Sequence, residues 1–194
     1  GQFTAACGTY IYRGDVLPAE YHGNSFNCEP TGNLVHREVL RPLGATFTSA
    51  SPYEGREFLA TRDTWCRPVS IASGPDGALY VVDMYRAVIE HPQFMPEELK
   101  TRPDLRHGDD RGRIYRIVPA NHNPKREMPN LSQVQSADLV RLFEHSNAWW
   151  RETAARLLYE RQDKSVVEPL KQLAQHGTAP TARVQPRCRW RSIR

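Results

Sequence analysis

The run RPVSIASGPDGALYVVDMYR, which starts at Arg67, constrains the fold of this chain more than any other feature. Its centre holds Pro75, Asp76 and Gly77. These residues form a turn signal, because proline presets φ, aspartate hydrogen-bonds its own backbone and glycine tolerates positive φ. β-Branched and aromatic residues flank the turn on both sides, as they do in paired strands. The run therefore predicts a β-hairpin.

The segment after this turn has the alternation of a half-buried strand. Leu79 and Val81 fall on one face and Tyr80 falls on the other. A later run, GRIYRIVP, alternates in the same way and predicts a further strand. In a β-propeller, each four-stranded blade takes about 40–45 residues. Residues 1–125 therefore have room for roughly two to three blades, whereas a closed propeller needs about four.

The chain divides into three parts by its patterns. Strand signals occupy residues 1–125, and residues 126–135 are typical of a linker, since proline and asparagine are frequent there and no periodicity is present. Residues 136–194 carry helical patterns, and Arg151 and Arg183 follow turns 32 residues apart, a spacing typical of HEAT-like arrays. The predicted fold class is mainly β with an α tail, a partial β-propeller of roughly two to three blades followed by HEAT-like α-helical hairpins.

Local signals predict where three of the helices begin. Serine and aspartate are preferred N-caps because their side chains accept hydrogen bonds from free backbone N–H groups. Pro169 falls inside the third helical pattern, so it must lie in the first turn or kink the helix. The candidate N-caps are Ser136, Ser146, and either Asp163 or Ser165.

The net charge of +4 has a local origin. The last twelve residues, RVQPRCRWRSIR, contain five arginines and no acidic residue, so the rest of the chain carries −1, which is the total less those five charges. This Arg-rich end shows no helical or strand period. That pattern favours a non-native or truncated end over a tail that binds an anionic partner.

Several classes of protein are disfavoured by the same features. No apolar run approaches the roughly 18 residues that a membrane-spanning helix needs, and no secretory signal is visible. Basic residues outside the Arg-rich end are matched by acids, and Trp149 and Trp150 lie at helical core spacing rather than on a basic stripe. The sequence therefore predicts no nucleic-acid partner and no transmembrane segment.

The four cysteines form no CxxC or CxxCH motif, so the sequence encodes neither a zinc ribbon nor a c-type haem attachment site. Cys7 and Cys28 bracket a segment of 20 residues. In an exported protein, a disulfide across such a loop would stabilise the fold by about 3 kcal/mol in the chain-entropy model. Two buried free thiols are the alternative that the spacing leaves open.

Three long segments of the chain resemble the large membrane-bound dehydrogenase-like proteins of planctomycetes and related bacteria. Those proteins join a propeller similar to soluble quinoprotein sugar dehydrogenases to HEAT-like repeats and a C-terminal c-type haem domain. The resemblance covers about residues 3 to 182. The segments are ACGTYIYRGDVLPAEYHGNSFNCEPTGNLVHR, EGREFLATRDTWCRPVSIASGPDGALYVVDMYRAVIEHP and RHGDDRGRIYRIVP.

The resemblance implies a fragment of an exported, periplasmic and membrane-associated oxidoreductase that acts on a sugar or an alcohol. Such a fragment would be inactive alone, because its partners, the early blades and the haem domain, are missing. A PQQ-like quinone is the cofactor that the resemblance implies, and c-type haem would belong only to the missing region. A noncatalytic propeller and HEAT module that binds a glycan or a protein is the alternative.

In the related quinoproteins, arginines hold the cofactor's carboxylates and a histidine acts as the base. Asp83, Tyr85 and Arg86 end a strand, where axial loops present ligand contacts, although such residues also cap turns. Arg67 is the fourth cofactor candidate, with stacking on Trp65 as its alternative role. The catalytic base stays unassigned. The further candidates for the base or the cationic clamp are Arg13, His22, His36, Arg37 and His91.

The loop RHGDDRGR places two adjacent carboxylates, Asp109 and Asp110, between arginines and glycines. Carboxylate and carbonyl oxygens are the ligands that Ca²⁺ prefers, so these residues are a candidate metal site. The neighbouring arginines would also compensate the carboxylates without any ion. The sequence leaves both interpretations open.

Overall fold

A computed structural model describes residues 3–91, 93–123, 128–189 and 193 of the chain. The chain forms two compact units. The predicted linker at residues 126–135 lies within the second unit, and residues 126 and 127 lie outside the described residues. The first unit comprises residues 1–12, 17–73 and 78–119, and the second comprises residues 13–16, 74–77 and 120–194.

The first unit consists mainly of antiparallel strands. It also contains a short 3-10 helix at Ala19–Tyr21 and the short helix α1 (Glu97–Lys100). The strands are β1 (Cys7–Ile11), β2 (Ser25–Glu29), β3 (Leu34–Leu43), β4 (Thr46–Ala50), β5 (Leu59–Ala60), β6 (Pro68–Ser73), β7 (Leu79–Asp83) and β8 (Arg113–Ile117).

These strands build two sheets. One follows the order β1-β2-β3-β4, with β5 added against β3, and the other follows the order β6-β7-β8. The predicted hairpin is confirmed as β6 and β7, and Gly77 in its turn has a φ of +80°. The predicted alternation is confirmed too, since Leu79 and Val81 are buried whereas Tyr80 is half-buried.

Side chains from both sheets share one hydrophobic core. Phe26 lies near its centre, with its ring 6.4 Å from the Tyr12 ring and 4.8 Å from the Phe58 ring. Tyr115 and Ile117 on β8 pack against the same core, whereas Ile114 on the opposite face is 66% exposed. Burial of one face of each sheet explains the period of two in the sequence. The buried members are Tyr12, Phe26, Cys28, Val35, Ile71, Leu79 and Val81.

The second unit is helical and has a core of its own. Phe143, Leu139 and Leu158 are fully buried at its centre. Two short 3-10 helices, Leu142–Glu144 and Lys164–Val166, connect longer elements. The α-helices are α2 (Ser136–Arg141), α3 (Ala148–Arg161), α4 (Val167–His176) and α5 (Pro180–Arg189).

The helix starts confirm some of the predicted caps and correct others. Asp163 caps the 3-10 helix before α4, and Pro169 lies in the first turn of α4, where the missing N–H costs nothing. Ser136 is the first residue of α2 rather than its cap. Ser146 is not the cap of α3 either, because the side chain of Asn147 accepts from the backbone N–H of Trp149.

The Arg-rich end is helical in part. The sequence shows no helical or strand period there, but α5 extends to Arg189, since its buried residues Ala182 and Pro186 hold it in the second unit. Residues 190–192 and 194 lie outside the described residues. The chain is thus a mixed structure of two antiparallel sheets and a C-terminal helical unit. None of the helices in the described parts is long and apolar enough to cross a bilayer.

Candidate functional site

A buried carboxylate organises the loop that follows β7. Asp83 is 1% exposed, and it accepts hydrogen bonds from the backbone N–H groups of Arg67 at 2.7 Å and Tyr85 at 2.9 Å. The Tyr115 hydroxyl donates to the same carboxylate at 3.3 Å, and burial raises the pKa of that hydroxyl, so it remains a donor. Arg113 lies 3.7 Å from Asp83. These contacts anchor the chain where β7 ends.

Tyr85 holds the loop in a conformation that few side chains adopt. Its φ is +51°, and the Arg113 guanidinium lies 3.8 Å from the centre of its ring. Trp65 meets the same ring edge to face, with the centroids 6.0 Å apart. A Cβ at Gly108 would lie 2.5 Å from the Tyr85 carbonyl oxygen, so glycine is required for this approach. Positive φ in a tyrosine is stabilised here by its surroundings.

Both arginines of the predicted cofactor set bind the chain's own backbone. Arg67 donates from its three guanidinium nitrogens to the carbonyls of Arg86 at 3.1 Å, Pro30 at 2.8 Å and Ala87 at 2.9 Å. Arg86 donates through Nη1 to the carbonyl of Gly108 at 2.8 Å. The Trp65 ring contacts Tyr85 instead of stacking on Arg67. The two guanidinium groups therefore brace neighbouring loops.

Three of the four predicted cofactor residues, Arg67, Asp83 and Arg86, hydrogen-bond to the chain's own backbone. A clamp needs guanidinium groups that are free to bind carboxylates. Arg67 donates from all three guanidinium nitrogens to backbone carbonyls, and Arg86 donates from Nη1 to the Gly108 carbonyl. Asp83 accepts from backbone N–H groups. Their geometry matches the alternative interpretation, in which they cap turns and fix loops.

A cavity of about 540 Å³ opens beside this braced loop. It combines the Trp65 indole with the His107 imidazole, and the two ring centroids are 5.9 Å apart. Two arginines and two aspartates add charges of both signs around the aromatic surface. Such a site presents a flat apolar face together with hydrogen-bond donors and acceptors. The lining residues are Trp65, Arg106, His107, Gly108, Asp109, Asp110 and Arg111.

Asp109 and Asp110, the candidate Ca²⁺ ligands, lie in this loop. Asp109 and Asp110 are exposed, and Asp110 lies 3.7 Å from the guanidinium of Arg111. In the described ranges, no group of three or more histidine, cysteine or acidic side chains is arranged to hold a metal. Ca²⁺ takes six to eight oxygen ligands. Compensation by arginine is therefore the interpretation that the geometry supports.

A comparison with protein-family models assigns the part of the chain that contains this cavity to a family. Residues 1–121 match the family described as a domain of unknown function, DUF7133. The chain belongs to the DUF7133 family. No curated protein and no solved structure matches it. The DUF7133 domain includes both sheets, the loop braced by Asp83 and every residue that lines the Trp65 cavity.

The remaining base candidates of the DUF7133 domain lie away from the Trp65 cavity lining. His36 pairs with Glu57 at 2.7 Å and with Glu38 at 3.6 Å. His22 and His91 are exposed. None of these histidines lines the Trp65 cavity, whereas His107 does.

Arg37 and Arg13, the other cationic candidates, have different environments. Arg37 is 5% exposed and donates to Asn24 and Tyr53, each at 2.9 Å. Its guanidinium also lies 4.0 Å from the centre of the Tyr21 ring. Arg13 belongs to the second unit, where it pairs with Glu152 at 2.7 Å. Arg37 is thus a structural residue of the DUF7133 domain.

Sequence reasoning missed His107 as a site residue and treated Arg106 and Arg111 only as neighbours of a metal site. The run RHGDDRGR could have indicated these site residues, because a run so rich in charge and glycine is typical of an exposed binding loop. What the sequence did not reveal is the position of Trp65, which lies about 40 residues earlier in the chain.

Cys7 and Cys28 lie directly opposite each other on β1 and β2, and both thiols are free. Of the two alternatives that the sequence left open, the structure has the free thiols, and the predicted disulfide is not formed. Burial, followed by the neighbouring Cys7, raises the pKa of Cys28 to about 12. Burial also raises the pKa of Cys66 to about 12, with a further contribution from a hydrogen bond to Asp83.

Alkylation should therefore separate the cysteines of the DUF7133 domain. At pH 8, a thiol with a pKa of about 12 is ionised to about one part in 10⁴, so we expect Cys28 and Cys66 to react with iodoacetamide only after unfolding. Cys7 is half-buried and should react first. Peptide mapping by mass spectrometry at timed intervals measures each site. Equal rates at Cys7 and Cys28, or a Cys7–Cys28 linked peptide, would contradict the free-thiol arrangement.

Proposed function

We propose that this chain is a piece of an exported sugar- or alcohol-dehydrogenase-like oxidoreductase, and that the piece binds a saccharide without oxidising it alone. The cavity at Trp65 carries the proposal. An indole offers an apolar face to a sugar ring, and arginine, aspartate and histidine side chains offer donors and acceptors to its hydroxyls. Ligand sites typically combine such an aromatic surface with a few polar groups.

The arrangement of the sheets and helices also supports this proposal. Two antiparallel sheets with a common core are what two neighbouring blades of a partial β-propeller would provide. In the second unit, α2 packs against α3 and α4 packs against α5, as HEAT-like hairpins would. The resemblance to the dehydrogenase-like proteins adds the exported, periplasmic setting and the missing partner domains.

Binding without turnover follows from how the loop residues are used. Arg67, Asp83 and Arg86 hold the backbone around the cavity. A quinone, if supplied, would accept the electrons of the sugar, but all three guanidinium nitrogens of Arg67 already donate to backbone carbonyls. We therefore assign the DUF7133 domain a saccharide-binding role and assign no oxidation step to its residues.

Isothermal titration calorimetry with a panel of neutral mono- and disaccharides tests the proposal. We expect at least one to bind saturably, and Trp65→Ala should weaken its binding by about tenfold, because the stacking surface is lost. Phe47→Ala is the matched control, since Phe47 is an aromatic residue of the same domain that is 62% exposed and does not line the cavity. It should bind as the unmodified chain does.

Three results would count against this function. One is the absence of saturable binding across the whole panel, and another is equal affinity of Trp65→Ala and Phe47→Ala for the bound sugar. Reduction of a dye by the isolated chain with PQQ and a bound sugar would overturn the noncatalytic part and favour an active oxidoreductase.

A further inference from the structure

The hairpin formed by β3 and β4 extends beyond the core of the first unit. β3 begins inside that core, where Val35 is fully buried, but every residue from 41 to 50 is exposed. The hairpin turns at Gly44, whose φ of +59° suits the first position of a two-residue hairpin turn. Two large apolar side chains lie on this projecting part, Leu43 at 58% and Phe47 at 62% exposed. The end of the hairpin therefore presents sheet surface to solvent.

β4 forms an open edge of its sheet. Among the described residues it pairs with β3 and with no other strand. Leu43 and Thr46 close a two-residue turn, so they exchange both ladder hydrogen bonds, and from there non-hydrogen-bonded pairs alternate with hydrogen-bonded ones. Phe47 and Ser49 belong to the non-hydrogen-bonded pairs. Their backbone N–H and C=O groups therefore point away from β3, toward the open edge.

The sequence of β4 lacks the features that keep edge strands apart. Its five residues, TFTSA, include no charged residue and no proline, and threonine and phenylalanine favour strand structure. Edge strands in native proteins usually carry lysine, proline or a bulge, because their free backbone groups would otherwise pair with another chain. β8, an edge of the other sheet, carries Arg113 and Arg116. The composition of β4 therefore favours pairing with a further strand.

A second copy of the same strand satisfies this edge. When two antiparallel copies are centred on Thr48, Phe47 of each lies opposite Ser49 of the other, and the outward N–H and C=O groups of these residues match. The contact is isologous, so it closes after two copies. No charges face each other within the strand pair. Arg41, opposite Thr48 on β3, would lie three strand spacings, about 14 Å, from its counterpart, which exceeds the Debye length of about 8 Å at physiological ionic strength.

We propose that β4 is a self-association edge, through which two copies of this chain join in one continuous antiparallel sheet. Phe47 shares a face of the hairpin with Pro42, its partner on β3. In the paired strands the two Phe47 residues are diagonal neighbours, at a separation of roughly 7–8 Å that aromatic side chains can bridge. Pairing therefore buries apolar surface that the single chain exposes, and it does not use the Trp65 cavity.

Sedimentation velocity of the whole chain over a wide range of concentrations tests this edge. We expect a reversible equilibrium between monomer and dimer. Thr48→Lys and Thr48→Glu each place like charges opposite each other at the two-fold axis, so each variant should dimerise about tenfold more weakly than the unmodified chain. An equal mixture of the two variants should regain association, because opposite charges then face each other across the axis.

Two further variants locate the contact. Ser49→Pro removes a backbone N–H that points toward the open edge and leaves the ladder to β3 intact, so we expect dimerisation to weaken about tenfold. Thr9→Lys is the matched control for Thr48→Lys, since it adds the same charge to an exposed threonine of β1, the strand at the other end of the same sheet. It should dimerise as the unmodified chain does. Far-ultraviolet circular dichroism establishes that each variant is folded.

Several results would overturn the proposal. A chain that stays monomeric at every concentration has no self-association edge. Unchanged dimerisation of folded Thr48→Lys and Thr48→Glu, or equal weakening by Thr9→Lys, would place the contact elsewhere. A mixture of the two Thr48 variants that stays monomeric would exclude pairing centred on this residue. Saccharide binding is measured at the Trp65 cavity, so either proposal can fail alone.

Discussion

Replacing Asp83 with alanine is expected to lower the free energy of unfolding by about 3 kcal/mol. The carboxylate is 1% exposed and accepts from the backbone N–H groups of Arg67 and Tyr85. Alanine would leave both donors unpaired next to the Arg113 guanidinium, which lies 3.7 Å from Asp83. Loss of several buried hydrogen bonds at one site is among the few mechanisms that produce so large an effect. Urea unfolding monitored by tryptophan fluorescence measures it.

Asp110→Ala is the control for this prediction. Asp110 is an exposed carboxylate of the same domain, so its removal should change the free energy of unfolding by no more than about 0.5 kcal/mol. Asp83→Asn should fall between the two, because an amide keeps one acceptor oxygen but loses the charge. If Asp83→Ala were as stable as Asp110→Ala, the carboxylate would not anchor the loop after β7.

Replacing Asn147 with alanine is expected to cost about 2–3 kcal/mol. Asn147 is fully buried, and its Oδ1 accepts from the backbone N–H of Trp149 at the start of α3. Its Nδ2 donates to the carbonyls of Gly74 at 3.0 Å and Pro75 at 3.2 Å. Alanine would remove the helix cap and leave the backbone N–H of Trp149 unpaired. The carbonyls of Gly74 and Pro75 would each lose one donor but keep the Gly77 N–H and the Trp150 indole N–H, respectively. Urea unfolding monitored by the helical circular dichroism signal at 222 nm measures the loss.

Ser146→Ala is the matched control for Asn147, because Ser146 is the neighbouring residue that the sequence pattern favoured as the cap. Ser146 is exposed, so its replacement should cost less than about 1 kcal/mol. A larger loss in Ser146→Ala than in Asn147→Ala would contradict the observed cap.

Local patterns predicted much of the fold. The turn at Pro75, Asp76 and Gly77 was predictable because φ preferences and side-chain hydrogen bonds within four residues specify it. The buried face of β7 was predictable because alternation records which side chains meet the core. Pro169 was predicted either to lie in the first turn of a helix or to kink it, and the structure has it in the first turn of α4.

The candidate sites were less predictable, because they depend on residues distant in the chain. Trp65 meets His107 across a ring distance of 5.9 Å, although 42 positions separate them in the sequence. Arg67 was a candidate cofactor residue, with stacking on Trp65 as its alternative role. In the structure Arg67 donates to Pro30, 37 residues away. No periodicity encodes such partners.

The sequence by itself determined the hairpin, the order of strands before helices and the approximate positions of the elements, since these depend on backbone preferences and on the period of apolar residues. The tertiary structure alone decided that Asp83 and Arg67 brace loops and that Trp65 and His107 share a cavity. It also decided which buried polar atoms, such as Nε of Arg151, have no hydrogen-bond partner among the described residues. The physical reason is that burial and hydrogen-bond satisfaction depend on which distant segments pack together.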